Sequence, residues 1–164
     1  MNHRLDSSNA IWDDGEWISW ESINEQVQYK EWGAQYPNAD LSLVPIFEDL
    51  ISLAQQYNFQ TGKHLQVYGD IGELYGAITH GIKLHNNYAQ GSDGRLGNDF
   101  VEVKTITPFK KSDSISVKLS GNFNKLLIVK INEDFELSAK LVDRSKLPKT
   151  KHNVLKIKWS DIQI

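Results

Sequence analysis

Apolar and polar positions alternate in two different ways along this chain, and the change falls near its middle. In the first part they recur at helical spacing. Trp20, Ile23, Val27 and Ala34 predict a helix from Trp20 to about Ala34, with Ser19 as its cap and Tyr36-Pro37-Asn38 ending it. Val44, Phe47, Leu50, Ile51 and Ala54 predict a second helix from about Leu43 to Tyr57, with Ser42 as cap and Pro45 in the first turn. Ile71, Leu74, Ala77, Ile78 and Ile82 predict a third from Asp70 to about Leu84, with Asp70 as cap and Glu73 at the capping-box position. Before the first helix, Asp13-Asp14-Gly15 reads as a turn between short extended pieces, and His64 to Tyr68 as another short extended piece.

From Tyr88 onward the period becomes two. Tyr88 to Asp93 and Phe100 to Ile106 predict a hairpin around a glycine-rich turn, and Ser114 to Leu119 a strand with Ile115, Val117 and Leu119 inward. Lys125 to Ile131 is a continuous apolar run, as in a central strand buried on both faces. Asn132-Glu133-Asp134 turns it into Phe135 to Val142, which returns antiparallel. Val154 to Trp159 alternates again, an edge strand whose outward lysines blunt edge pairing. Helices followed by strands predict one α+β domain over 1–164, N-terminal helices packed on a mixed, mainly antiparallel sheet. Its sections are an acidic, Trp-rich helical part (1–69) and a core with C-terminal strands (70–164).

Composition sharpens this picture in four ways. The 164 residues suffice for one domain with a real core, and the absence of cysteine excludes disulfides and thiolate zinc sites. No apolar stretch approaches a membrane span and the start lacks an apolar signal region, so a cytoplasmic protein without a membrane partner is expected. Charge is split: residues 1–82 hold 12 Asp+Glu and 3 Lys+Arg, net −9, and residues 83–164 hold 9 and 15, net +6, which together give −3. Either the basic half meets an anionic partner or the two halves neutralise one another. Trp12, Trp17, Trp20 and Trp32 fall within 21 residues. The area an indole buries makes core packing the expectation, with a partner-binding surface as the alternative.

The chemistry-bearing stretch runs from Gly91 to Ile106. On a strand, Glu102 and Lys104 share one face while Val101 and Val103 take the other. A hairpin would bring Asp93 beside them. Phosphodiester hydrolysis needs an activated water and neutralisation of charge on phosphate, and a carboxylate-held divalent metal supplies both. Asp93, Glu102 and the Val103 carbonyl would make an oxygen site suited to Mg2+ or Mn2+, with Lys104 orienting water or stabilising charge. Glu73 has two readings: it caps the third helix, or it points toward the carboxylate pair. Lys110, Lys111 and Lys118 lie nearest for phosphate contact, with Arg144, Lys146, Lys149 and Lys151 in a later loop. Asp99 is a second acid if the turn is registered differently. His64, His80, His85 and His152 form no zinc motif, and His80 and His85 are expected at the third helix's C-terminal carbonyls.

Gly72-Glu73-Leu74-Tyr75 on a helix, then Ser92-Asp93-Gly94, then Glu102-Val103-Lys104 on a strand resembles the PD-(D/E)XK nuclease superfamily, the restriction-endonuclease-like fold. It is most similar to a small bacterial branch with a Gly-Glu-Leu-Tyr helix. The resemblance covers roughly Asp70 to Val142. It implies Asp93 and Glu102 as metal ligands, Lys104 as catalytic lysine and Glu73 as a supporting helix acid, in a Mg2+- or Mn2+-dependent nuclease acting on DNA. The alternative within the same fold is a silent interaction, immunity or defence module with a protein partner, and many such nucleases form homodimers. Ser92 replaces the name-giving proline, and Ser120 to Asn124 leaves almost no room for the helix the superfamily places between its third and fourth strands.

Overall fold

Asp14 (φ 37) and Gly15 (φ 99) both take the left-handed conformation that a two-residue hairpin turn demands. They join β1 (Ala10–Asp13) to β2 (Glu16–Ser19) in this computed structural model, which describes residues 4–87 and 90–162. Ser19 then caps α1 (Trp20–Gln35), accepting from the Ser22 N–H as expected.

The next two helices start and stop elsewhere than their apolar stripes suggested. Asp40 accepts from the Ser42 N–H and hydroxyl, which commits Ser42 to a short 3-10 turn (Leu41–Leu43). α2 (Val44–Thr61) therefore begins without a side-chain cap and runs past Tyr57 to Gly62 at φ 67. α3 (Tyr68–His80) opens one turn before Gly72, also without a side-chain cap, so Asp70 lies inside its first turn and the predicted extended piece at His64 to Tyr68 is absent. Its His64 Nδ1 pairs instead with the Tyr68 hydroxyl at 2.8 Å. α3 ends at Gly81 (φ 70) rather than at Leu84, because glycine adopts the left-handed cap without penalty and the chain turns out there. A Cβ at Gly81 would also lie 2.7 Å from the Asn38 carbonyl oxygen.

The strands are β3 (Lys83–Leu84), β4 (Gly94–Leu96), β5 (Asp99–Ile106), β6 (Ser114–Lys118), β7 (Lys125–Ile131), β8 (Leu137–Asp143) and β9 (Val154–Lys158). Five form a mixed sheet in the order β3-β4-β5-β7-β8. The β5–β7 pairing is parallel and the others are antiparallel. The hairpin partner of β5 is thus β4, turned at Gly97 (φ 60), and lies after Asp93 rather than over Tyr88 to Asp93; Tyr88 itself falls outside the described residues. β6 and β9 leave the sheet and pair with each other as a two-stranded ribbon.

Alternation along β7 explains the three layers. Leu127, Val129 and Ile131 point to the helices, where they meet clusters containing Phe47, Ala54, Ile71, Ile78 and Ile82. Leu126 and Ile128 point the other way, onto Ile115, Val117, Leu155 and Ile157 of the ribbon. This central strand is buried on both faces, as its unbroken apolar run predicts. Two parallel strands need a crossover, most often a helix. Here the chain between β5 and β7 crosses through β6, so the ribbon occupies the place where a helix would have lain.

Three of the four clustered tryptophans are not core. Trp12 is 57% exposed, Trp20 47% and Trp17 37%. Among the described residues no further layer covers Trp12 and Trp17 of the β1–β2 hairpin, and the two rings pack edge-on against each other at 5.4 Å. Only Trp32 packs inward, against Phe47. Among the described residues no helix is long and apolar enough to cross a membrane.

Candidate active site at the open edge of β5

The site arises because β4 is too short for β5. Pairing runs from Leu96↔Asp99 to Gly94↔Val101 and then stops, while β5 continues to Ile106. Gly94 permits the close approach: a Cβ there would lie 2.7 Å from Ile82 Cγ2 and 2.8 Å from the Lys83 oxygen. Asp93 fills the gap beyond. Its N–H donates to the Val101 carbonyl at 2.9 Å, its carbonyl accepts from the His85 N–H at 2.9 Å, and its Oδ2 accepts from the Val103 N–H at 2.6 Å. A carboxylate thus stands in for the missing strand, and the Val103 carbonyl leaves by the same edge.

Val101 and Val103 enter the helix-side core, which turns Glu102 and Lys104 toward the ribbon side. Lys104 Nζ donates to Glu102 Oε1 at 2.5 Å, with the two side chains 33% and 19% exposed. Asp93 and Glu102 line one cleft of about 790 Å³, whose other wall is Lys118, Ser120, Gly121 and Asn122.

Glu73 comes from the opposite side of the sheet. α3 packs so closely on β5 that a Cβ at Gly72 would lie 2.0 Å from Thr105 Oγ1. The next residue, Glu73, lines a second cavity of about 280 Å³ with Asp70, His85 and Asp93. The helix has no side-chain cap, so of the two readings of Glu73 the capping one falls. Burial first, then the charges of Asp93 and Asp70, push its carboxyl up to about 7, against the opposing pull of Lys104.

The remaining sequence candidates divide. Lys118 reaches the cleft. Lys110 donates to the Ser114 carbonyl, and Lys111 is exposed outside the cleft lining. Their loop is drawn aside by Phe109, which packs on His64 at 4.8 Å and on Tyr68 at 5.9 Å. Asp99 sits at the hairpin end of β5, 3.5 Å from Lys125, leaving Asp93 as the acid of the site. His85 does not reach the end of α3; its Nδ1 lies 3.2 Å from the Ser92 carbonyl. His80 Nδ1 pairs with the Thr79 hydroxyl at 2.7 Å rather than with a terminal carbonyl.

Arg144, expected as a phosphate contact, instead takes a structural role that no sequence pattern signalled. It is turned inward, its guanidinium donating to the carbonyls of Leu119, Gly121 and Phe123 and lying 4.5 Å from the Phe123 ring centre. It holds the far wall of the cleft and is spent as a phosphate ligand.

Among the described residues no three His, Asp or Glu side chains form a metal cage. The available donors are oxygens: Asp93 Oδ1 and Glu102 Oε2, whose partner atoms Oδ2 and Oε1 are engaged, and the Val103 carbonyl. Such a hard set fits magnesium or manganese, which keep several waters and need only one or two carboxylates. Compared with protein-family models and with curated proteins, the chain has no match.

Proposed function

We propose that this chain is a metal-dependent nuclease with a restriction-endonuclease-like core of the PD-(D/E)XK type, hydrolysing phosphodiester bonds in DNA with Mg2+ or Mn2+. The observation that carries the reading is Asp93, bonded through Oδ2 to the Val103 N–H at the open edge of β5 and sharing one cleft with Glu102, to which Lys104 is paired. Asp93 Oδ1, Glu102 Oε2 and the Val103 carbonyl would hold the cation. When bound, it supplies Lewis acidity and lowers the pKa of water. Lys104 brings an ammonium to the face where the phosphate sits, placed to orient the attacking water or to stabilise developing negative charge. Glu73, near 7, holds or releases a proton beside Asp93 at neutral pH. Lys118 faces phosphate oxygens from the other wall. Purified protein should cleave DNA with Mg2+ or Mn2+ and stop in chelator; no cleavage with either cation under any salt would contradict the proposal.

A second reading has its own support. Lys104 is already paired with Glu102, and the exposed Trp12, Trp17 and Trp20 are surrounded by an acidic section, as in a silent, partner-binding member of the same fold. Neither Glu102 nor Lys104 is closed off from solvent, which favours the catalytic reading. Calorimetric titration with Mn2+ separates the two: heat lost in Asp93→Asn supports the metal site, and no heat with wild type supports the silent module.

A further inference from the structure

We infer that the outer face of the β6–β9 ribbon is the track along which the DNA phosphate backbone enters the cleft, an inference that rests on the nuclease reading above. The ribbon's inner face is apolar: Ile115, Val117, Leu155 and Ile157 are all buried. Strand alternation then fixes what faces outward. The outward, exposed positions are Ser116 and Lys118 on β6, and Val154, Lys156 and Lys158 on β9. The register pairs Lys118 with Val154 and Ser116 with Lys156. Lys118, Lys156 and Lys158 therefore share one face with no acid among the outward positions.

Position separates these lysines from others in the same half. Lys104, Lys125 and Lys130 each lie in an ion pair, and Lys140 donates to two backbone carbonyls. Among the described residues, Lys118, Lys156 and Lys158 have no acidic partner within ion-pair distance. One end of their row opens on catalysis, because Lys118 lines the cleft that holds Asp93 and Glu102. The row runs from Lys158 to the level of Lys118, four residues or about 13 Å along a strand. That is about four nucleotides of axial rise. A row of unpaired ammonium groups leading to a hydrolytic edge binds a polyanion through phosphate neutralisation, without reading bases.

Edge protection is the competing explanation of outward lysines on β9. The test uses fluorescence anisotropy of a labelled DNA duplex, in chelator to prevent cleavage, over a range of KCl concentrations. Lys156→Gln/Lys158→Gln should bind more weakly, and the slope of log affinity against log salt should fall by about 1.8, at about 0.9 per phosphate contact. With Mg2+ its KM should rise while kcat stays unchanged, and Lys156→Arg/Lys158→Arg should restore the salt slope and the KM. Lys30→Gln/Lys63→Gln makes the same change in net charge on the helical section and should leave binding unchanged. An unaltered slope in the ribbon variant, aggregation without loss of binding, or an equal loss in the helical control would overturn the inference while leaving the nuclease reading intact. Wild type that cleaves no DNA would sink the nuclease reading itself.

Discussion

At Asp93 a side chain does what the next residue of β4 would have done, and this makes its two oxygens unequal. Oδ2 is structural, because it satisfies the Val103 N–H, and Oδ1 is left for a cation. Asp93→Ala should therefore destabilise the fold by about 1–3 kcal/mol in urea unfolding, the cost of an orphaned donor. Asp93→Asn keeps an acceptor and should recover most of that stability without recovering Mn2+ affinity. Equal stability of the Ala variant and wild type would contradict the bridging role. Glu73 gives a pH prediction with a definite sign. Its carboxyl rises from an ordinary 4.5 to about 7 on folding, so the folded state binds the proton more tightly than the unfolded one. In chelator, that contribution to stability is full below about pH 4.5 and is lost as pH rises through about 7. Glu73→Gln should match wild type in acid and exceed it above neutrality. A pH-independent difference would remove the assignment. Asp93, Glu102 and Lys104 were legible in the sequence because alternation and turn spacing are local. Arg144 and His85 were not, since their partners at Leu119 to Phe123 and at Ser92 become neighbours only once the strands are paired.

Among the elements, the contact of α3 with β5 sets the geometry of the site. Gly72→Ala should cost about 1–3 kcal/mol through overpacking against Thr105, and Thr105→Ala should relieve part of it in the double variant. Strict additivity of the two changes would contradict direct contact. Local periodicity revealed the hairpin at Asp14-Gly15, the cap at Ser19 and the doubly buried β7. It did not reveal helix ends decided by one residue, such as Gly81 closing α3 or Asp40 taking Ser42. Nor did it show that β6 pairs with β9, a choice made by contacts far apart in the chain. The tryptophan expectation failed for a related reason: an indole is core only if another layer covers it, and among the described residues no such layer covers Trp12 and Trp17 of the β1–β2 hairpin. Acrylamide should accordingly quench a large part of the native tryptophan emission, and Trp12→Ser should shift stability by no more than about 0.5 kcal/mol. Emission shielded from acrylamide would mean that a partner surface or second copy covers the hairpin in solution.

Across the whole molecule the charge split survives folding. Every ion pair among the described residues joins two positions within 99–146, so the acidic first half and the basic second half do not neutralise one another by direct pairing. The acidic helical section lies on one side of the sheet and the lysine-bearing ribbon on the other, with the Asp93–Glu102 cleft at the ribbon side. This places like charge away from the surface proposed to meet DNA. The α+β layering followed from the order of helices and strands, while the parallel β5–β7 pair and the ribbon crossover required the fold itself. The most direct measurement is the rate of DNA cleavage with Mg2+ or Mn2+ by wild type and by Lys104→Ala of equal thermal stability. The account predicts cation-dependent cleavage by wild type and a loss of at least about 100-fold in the variant. Cleavage at the same rate by both proteins would contradict it.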